Sequence, residues 1–265
     1  MPRPPPLAAL RRLMPHFGRL GRAERWRRMR GRPRIWAHRG DSAHAPENTL
    51  EAFELARKAG ADGIELDVRL DRDGTVVVFH DRDLQRLCER PGCIEELSAD
   101  ERKALRVRGH GVPTLVEVFD MLGTLEINVE IKSNRPGRNG ALVAAAANVI
   151  RTSGRAEQVL VSSFDPMSLL QFHAQLPDIA VAFLFGKDQT LPIREGWLGR
   201  AVGASVLHPE HTLCTAARVK AWHTAGHPIN VWTVDDAEEL RRLAALGVDG
   251  VFTNDPGNAV AVLAV

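Results

Sequence analysis

The chain has 265 residues, 44% hydrophobic and 26% charged, enough to bury a large core in one barrel-sized domain or two small ones and unlike a disordered chain. Its net charge of +2 is unevenly divided: eleven arginines against the single acid Glu24 give residues 1–34 a net +10 and leave −8 on the remainder. No apolar run approaches the roughly 20 residues that cross a bilayer, and the N-terminus lacks the apolar stretch of a secretory signal, so a cytoplasmic product is expected.

Residues 1–33 stand apart as a basic extension. Leu7, Leu10, Met14, Phe17 and Leu20 recur at helical spacing among Arg11, Arg12, Arg19 and Arg22, compatible with a helix lying peripherally on anionic membrane. Pro15 interrupts the pattern, and a disordered leader or a helix closing the floor of the fold is preferred. Beyond Trp26 little is interleaved with these arginines for stacking on bases, which argues against nucleic acid.

From Arg34 onward, apolar runs alternate with helical patterns. Strands are predicted at 35–37, 63–68, 125–131, 159–162, 179–185, 204–207, 229–233 and 250–252, and helices at 49–59, 141–152, 166–176, 213–225 and 237–246. Eight strands with intervening helices predict an α/β (β/α)8 barrel over 34–265. An open doubly wound sheet would call for a glycine-rich loop after the first strand, where His38-Arg39-Gly40-Asp41 stands instead.

The strand alternation points to chemistry. In 63–68 the apolar residues Ile64, Leu66 and Val68 pack outward, which turns Glu65 and Asp67 into the barrel. In 125–131 the same parity turns Asn128, Glu130 and the following Lys132 inward. Three carboxylates at strand ends are costly without a cation, and an all-oxygen set suits Mg²⁺ or Ca²⁺. The competing reading is internal salt bridges. Lys132 supplies a positive charge for a phosphate, and Arg39 a bidentate donor.

Asp73-Gly74 marks a hairpin after the second strand. A turn centred there places Asp67 opposite His80, and His38 ends the neighbouring first strand, so the two imidazoles flank the acids as candidate base and acid. Residues 82–113 form a small insertion expected to wall the mouth. Its Cys88 and Cys93, like Cys214, lack C-x-x-C spacing; a Cys88–Cys93 pair within one loop is the alternative, and free thiols are preferred.

Asn48 and Glu51 fit a helix cap, with Asn48 structural, and Glu47 is either a partner of the site or a loop residue. Trp232 and Phe164 are read as substrate-binding, an apolar wall for a glycerol or alcohol moiety, with core packing the close alternative. His208, at the end of the sixth strand, approaches the pocket. His16, His44, His110, His173, His211, His223 and His227 are expected in tail, loop or helix positions without partners and receive no role.

These residues resemble the glycerophosphodiester phosphodiesterase family: His38-Arg39-Gly40 with Pro46-Glu47-Asn48-Thr49, Glu65-Leu66-Asp67-Val68, Asp73-Gly74, His80-Asp81, Val129-Glu130-Ile131-Lys132, Ser163-Phe164-Asp165 and Val231-Trp232-Thr233-Val234-Asp235. The resemblance spans roughly 34–256. It implies a barrel in which His38 and His80 act as acid and base, Glu65, Asp67 and Glu130 hold a divalent cation, and Arg39 and Lys132 contact phosphate. The implied reaction is hydrolysis of a small-molecule glycerophosphodiester to sn-glycerol 3-phosphate and an alcohol. Lysophospholipase D action on membrane lysolipids and a silent phosphodiester-binding barrel are the other readings; the full set of acids and histidines argues against the last.

Overall fold

A computed structural model describes residues 23–28, 31–133 and 137–264. The helical pattern over 7–22 lies outside the described residues. Eight parallel strands form the barrel: β1 (Arg34–His38), β2 (Gly63–Leu70), β6 (Glu126–Ile131), β7 (Val159–Ser163), β8 (Ala180–Phe185), β9 (Val206–Pro209), β10 (Asn230–Val231) and β11 (Gly250–Thr253). Their order is β10-β11-β1-β2-β6-β7-β8-β9, and parallel bridges Leu207–Ile229 and Glu210–Trp232 join the two ends. All eight predicted strands are present, with bounds shifted by up to two residues at most ends and β10 shortened to two.

Alternation places the core. Ile64, Leu66, Val68, Ile127, Val129 and Ile131 face outward and pack in one cluster with helix residues such as Phe53, Val118, Leu122 and Val143. Inside the barrel the lower tier is apolar, built from Trp36, Leu160, Ala180, Ala182, Val206 and Phe252 around Trp26. The upper tier is polar: Glu65, Asp67, Asn128, Glu130, Ser162, His208 and Asn230 are all buried. The barrel is thus a packed plug below and a charged cup above.

Trp26, in the segment that the sequence reads as a basic extension, packs against the barrel. Residues 23–28 make a 3-10 turn (Glu24–Trp26) whose indole lies 5.8 Å from Trp36 under the strands. Arg34 stacks over that indole and pairs with Glu126 at 2.8 Å, while Asp249 accepts from the Arg28 backbone N–H. This turn closes the floor.

The hairpin after β2 departs from expectation by one residue. β3 (Val76–Val78) pairs antiparallel with β2 as Val68–Val78, Arg69–Val77 and Leu70–Val76, so Phe79, donating to the Asp67 carbonyl at 2.9 Å, stands opposite Asp67 in place of His80. The cause is Asp71, whose carboxylate accepts from Asp73 N and Thr75 N at 3.1 and 2.7 Å. It holds a three-residue loop, 72–74, with Gly74 at φ +84°, where a two-residue turn had been expected. A one-residue slip exchanges the two faces: Phe79 enters the core of the insertion, and His80 follows it around the bend.

The insertion has its own small core. Helices α2 (Gln85–Cys88) and α3 (Ala99–Ala104) and the ribbon β4 (Arg106–Val107) and β5 (His110–Gly111) surround Leu84, Leu87, Ile94, Leu97, Leu105 and Val107, packed on Val77 and Phe79. Cys88, Cys93 and Cys214 are free. No helix among the described residues is long and apolar enough to cross a membrane.

Candidate active site

Register assembles the upper tier. His38 pairs with Glu65 across β1 and β2, and Glu65 and Asp67 pair with Asn128 and Glu130 across β2 and β6. Oxygens of Glu65, Asp67 and Glu130 lie within 4.8 Å of one another. They border a cavity of about 290 Å³ lined by His38, Arg39, Glu65, His80, Asn128, Glu130, Lys132, Phe164, His208 and Trp232, among others. The sequence-predicted residues converge there with one exception. Asp67 is fully buried behind Arg39 and Lys132 and lines no part of the cavity.

The acids differ in their neighbours. Burial, reinforced by the charges of Asp67 and Glu130, raises the Glu65 carboxyl well above its ordinary range. Glu65 Oε2 accepts from Arg39 N at 2.9 Å, while Oε1 is buried without a hydrogen-bond partner. Burial also raises Glu130, against the opposing charge of Lys132. For Asp67 burial works in the same direction, but Lys132 and Arg39 outweigh it and hold the carboxyl below its usual range. Lys132 Nζ sits 2.7 Å from Glu130 Oε1 and 3.1 Å from Asp67 Oδ1. The ammonium therefore spans the acids at the cavity wall.

The His-Arg-Gly run has a local explanation. Arg39 adopts φ +58° and Gly40 φ +85°, and a Cβ at Gly40 would lie 2.7 Å from the Ala52 backbone carbon, so only glycine fits. The resulting turn aims the Arg39 guanidinium at Asp67 (3.2 Å) and Glu47 (2.8 Å). Helix α1 (Leu50–Lys58) follows. Its cap is Thr49, which accepts from Ala52 N, and the cap role expected of Asn48 is corrected: Asn48 donates from Nδ2 to Asp67 Oδ2 at 2.8 Å and accepts from Asp67 N at 3.3 Å.

The two imidazoles have different partners at Nδ1. His38 Nδ1 donates to the Asn254 amide oxygen at 2.8 Å, and burial, then the Arg39 charge, lowers its pKa to about 4. His80 Nδ1 lies 2.6 Å from the carboxylate of Asp81, and Arg69 donates to the His80 carbonyl. Arg86, from the insertion, joins this side to the other. Its guanidinium donates to Asp81 Oδ2 at 2.6 Å and to both oxygens of Glu47 at 2.8 Å. The insertion supplies none of the cavity lining given above; it reaches the mouth through Arg86.

Opposite the acids, Trp232 and Phe164 meet edge to face at 5.5 Å, with the indole N–H donating to the His208 carbonyl. Trp232 also packs on the interior cluster, so it is both wall and core. His208 is fully buried; its Nε2 accepts from Asn230 Nδ2 at 3.1 Å, and burial lowers its pKa to about 3. The expectation that the outlying histidines lack partners is overturned: His44, His110, His211 and His223 pair with Asp41, Glu51, Glu239 and Asp249 at 2.7–2.9 Å. Sequence reasoning gave no role to Arg86, Asp81, Asn254 or Asp235. Only Asp81 and Asp235 fall in the motif fragments.

A model of the glycerophosphoryl diester phosphodiesterase family matches residues 38–258. A glycerophosphodiester phosphodiesterase of Caldanaerobacter subterraneus subsp. tengcongensis is 35% identical, covering 84% of this chain and 94% of its own; one of Bacillus altitudinis is 33% identical, covering 86% and 97%. Among solved structures, an Oleispira antarctica phosphodiesterase in complex with the product sn-glycerol-3-phosphate superposes with a TM-score of 0.82 at 26% identity, covering 88% of this chain and 98% of that one. The Thermotoga maritima glycerophosphodiester phosphodiesterase reaches 0.72 at 31%, covering 87% and 98%.

Proposed function

Because the chain belongs to the glycerophosphoryl diester phosphodiesterase family, we propose that its barrel mouth hydrolyses glycerophosphodiesters to sn-glycerol 3-phosphate and an alcohol, with one divalent cation and two histidines. The reading is carried by the unequal Nδ1 partners of His38 and His80 on either side of the acid cluster.

Glu65, Asp67 and Glu130 fit a hard cation: three oxygens converge, one of them the buried and unpartnered Glu65 Oε1. Such an ion, Mg²⁺ or Ca²⁺, would draw charge from a non-bridging phosphate oxygen. Arg39 and Lys132, at the same wall, orient the phosphate and offset its developing charge. His38 has a neutral acceptor at Nδ1 and stays uncharged near pH 7, so its Nε2 lone pair takes the proton of the nucleophile, either water or the substrate's own glycerol hydroxyl. His80, its Nδ1 held by the Asp81 carboxylate, protonates the leaving oxygen. Phe164 and Trp232 receive the apolar part of the substrate, and the enzyme works in the cytoplasm.

A second reading, action on lysophospholipids, has one observation in its favour. Phe164, which lines the cavity, is 39% exposed, and Met167 and Leu170 in the helix that follows are 46% and 39% exposed, apolar surface that an acyl chain could use. The test is release of sn-glycerol 3-phosphate from glycerophosphocholine, and of choline from lysophosphatidylcholine, by wild type, His38→Ala and His80→Ala. Each substitution is expected to reduce turnover by about 10²-fold or more; full activity in both variants would remove the two-histidine assignment. The preferred substrate separates the two readings.

A further inference from the structure

We infer that Asp235 and Asn254 hold His38 in the tautomer that carries its proton on Nδ1 and turns the Nε2 lone pair to the cavity; the catalytic consequence rests on the reading of His38 as the base. Asn254 directly follows β11, and Asp235 lies in the loop after β10. Both are far from His38 in sequence, and barrel closure brings them to it.

A carboxylate offers acceptors only. Asp235 Oδ1 accepts from the Asn254 backbone N–H at 2.7 Å and from the Thr253 hydroxyl at 2.8 Å, and Oδ2 accepts from Asn254 Nδ2 at 2.7 Å. The Asn254 side chain is therefore oriented, with its NH₂ toward Asp235 and its oxygen toward β1. That oxygen lies 2.8 Å from His38 Nδ1 and 3.0 Å from the Ser42 hydroxyl, whose one hydrogen is shared with the His38 carbonyl at 2.9 Å. Since an amide oxygen cannot donate, Nδ1 must carry the hydrogen. Asn254 is fixed on its far side too, its backbone carbonyl accepting from Ala43 N at 3.0 Å. The charge on Asp235 thus determines, two hydrogen bonds away, which imidazole nitrogen keeps its lone pair.

Asp235→Asn is isosteric and predicts an inversion. The new amide must keep its oxygen on the Asn254 backbone N–H, so its NH₂ faces the Asn254 side chain. That side chain rotates to offer its oxygen to the new amide and its NH₂ to His38 Nδ1, which must then accept, and the proton moves to Nε2. The double variant Asp235→Asn/Asn254→Asp reverses the polarity of the link and again presents an acceptor to Nδ1.

The readout is the pair of nitrogen-15 shifts of the His38 imidazole in the full chain at pH 7, assigned by their loss in His38→Gln, together with kcat and KM on glycerophosphocholine. Expected are a proton on Nδ1 in wild type, exchanged shifts and kcat lower by about 10²-fold with little change in KM in the single variant, and restored shifts with kcat within about tenfold of wild type in the double variant. Wild-type shifts in the single variant, or exchanged shifts that the double variant fails to restore, would overturn the inference. Exchanged shifts with unchanged kcat would leave the tautomer assignment standing and remove His38 from the role of base.

Discussion

Asn48→Ala should destabilise the protein far more than a loop substitution ordinarily does. The side chain is 2% exposed and sits at φ +59°, gripping Asp67 through a charge-assisted hydrogen bond at 2.8 Å and a backbone one at 3.3 Å. Losing the first costs about 1.5–3 kcal/mol and the second about 0.5–1.5, because the buried Asp67 atoms find no water in exchange. Alanine in the left-handed region adds about 1–2 kcal/mol that asparagine partly escapes. The total, about 4 kcal/mol, should appear as an earlier midpoint in urea unfolding at unchanged slope. Asn48→Gly loses the same two hydrogen bonds without the steric penalty and should be the more stable variant by about 1 kcal/mol. If both variants lie within about 0.5 kcal/mol of wild type, a range ordinary for surface changes, Asn48 does not hold Asp67.

Arg86→Ala should lower kcat/KM about tenfold, since Glu47 and Asp81 lose the guanidinium that joins them, while stability changes by less than about 1 kcal/mol because the side chain is half-exposed. Arg86→Lys, lacking the planar fork, should recover only part of the activity; unchanged kinetics in Arg86→Ala would detach the insertion from the chemistry. His208 gives a pH-dependent stability. Its folded pKa, about 3 through burial, lies below the ordinary 6.5, so the unfolded chain binds a proton below pH 6.5 that the folded chain refuses until pH 3. Stability therefore falls with pH across that window, by about 2 kcal/mol between pH 7 and 5 from this residue. His208→Gln should flatten that part of the urea-midpoint profile, and an unaltered slope would show that His208 is not the origin.

Local pattern carried the acids. Ile64, Leu66 and Val68 demanded the helix side of β2, which left Glu65 and Asp67 nowhere but the interior, and the same parity fixed Glu130. The hairpin register was not legible, because Asp71's carboxylate, and not the Asp73-Gly74 pair alone, sets the loop length. Asn48 and Thr49 are adjacent and both cap helices well; the choice between them is made by Asp67, a tertiary partner. Arg86 and Asn254 act on residues 39 and 216 positions away, distances over which a single sequence holds no pairing signal. One missed element did have a local signal: α4 (Leu115–Leu122) opens with the capping box Thr114 and Glu117.

The proposed metal dependence is tested most directly by the rate at which chelator-stripped enzyme releases sn-glycerol 3-phosphate from glycerophosphocholine, before and after Mg²⁺ or Ca²⁺ is added back, in wild type and Glu65→Gln. Expected are negligible release from the stripped enzyme, recovery of wild type with one of the two ions, and no comparable recovery in Glu65→Gln. Full activity in the chelator, or recovery of Glu65→Gln to the wild-type rate at the same ion concentration, would contradict the proposed metal dependence.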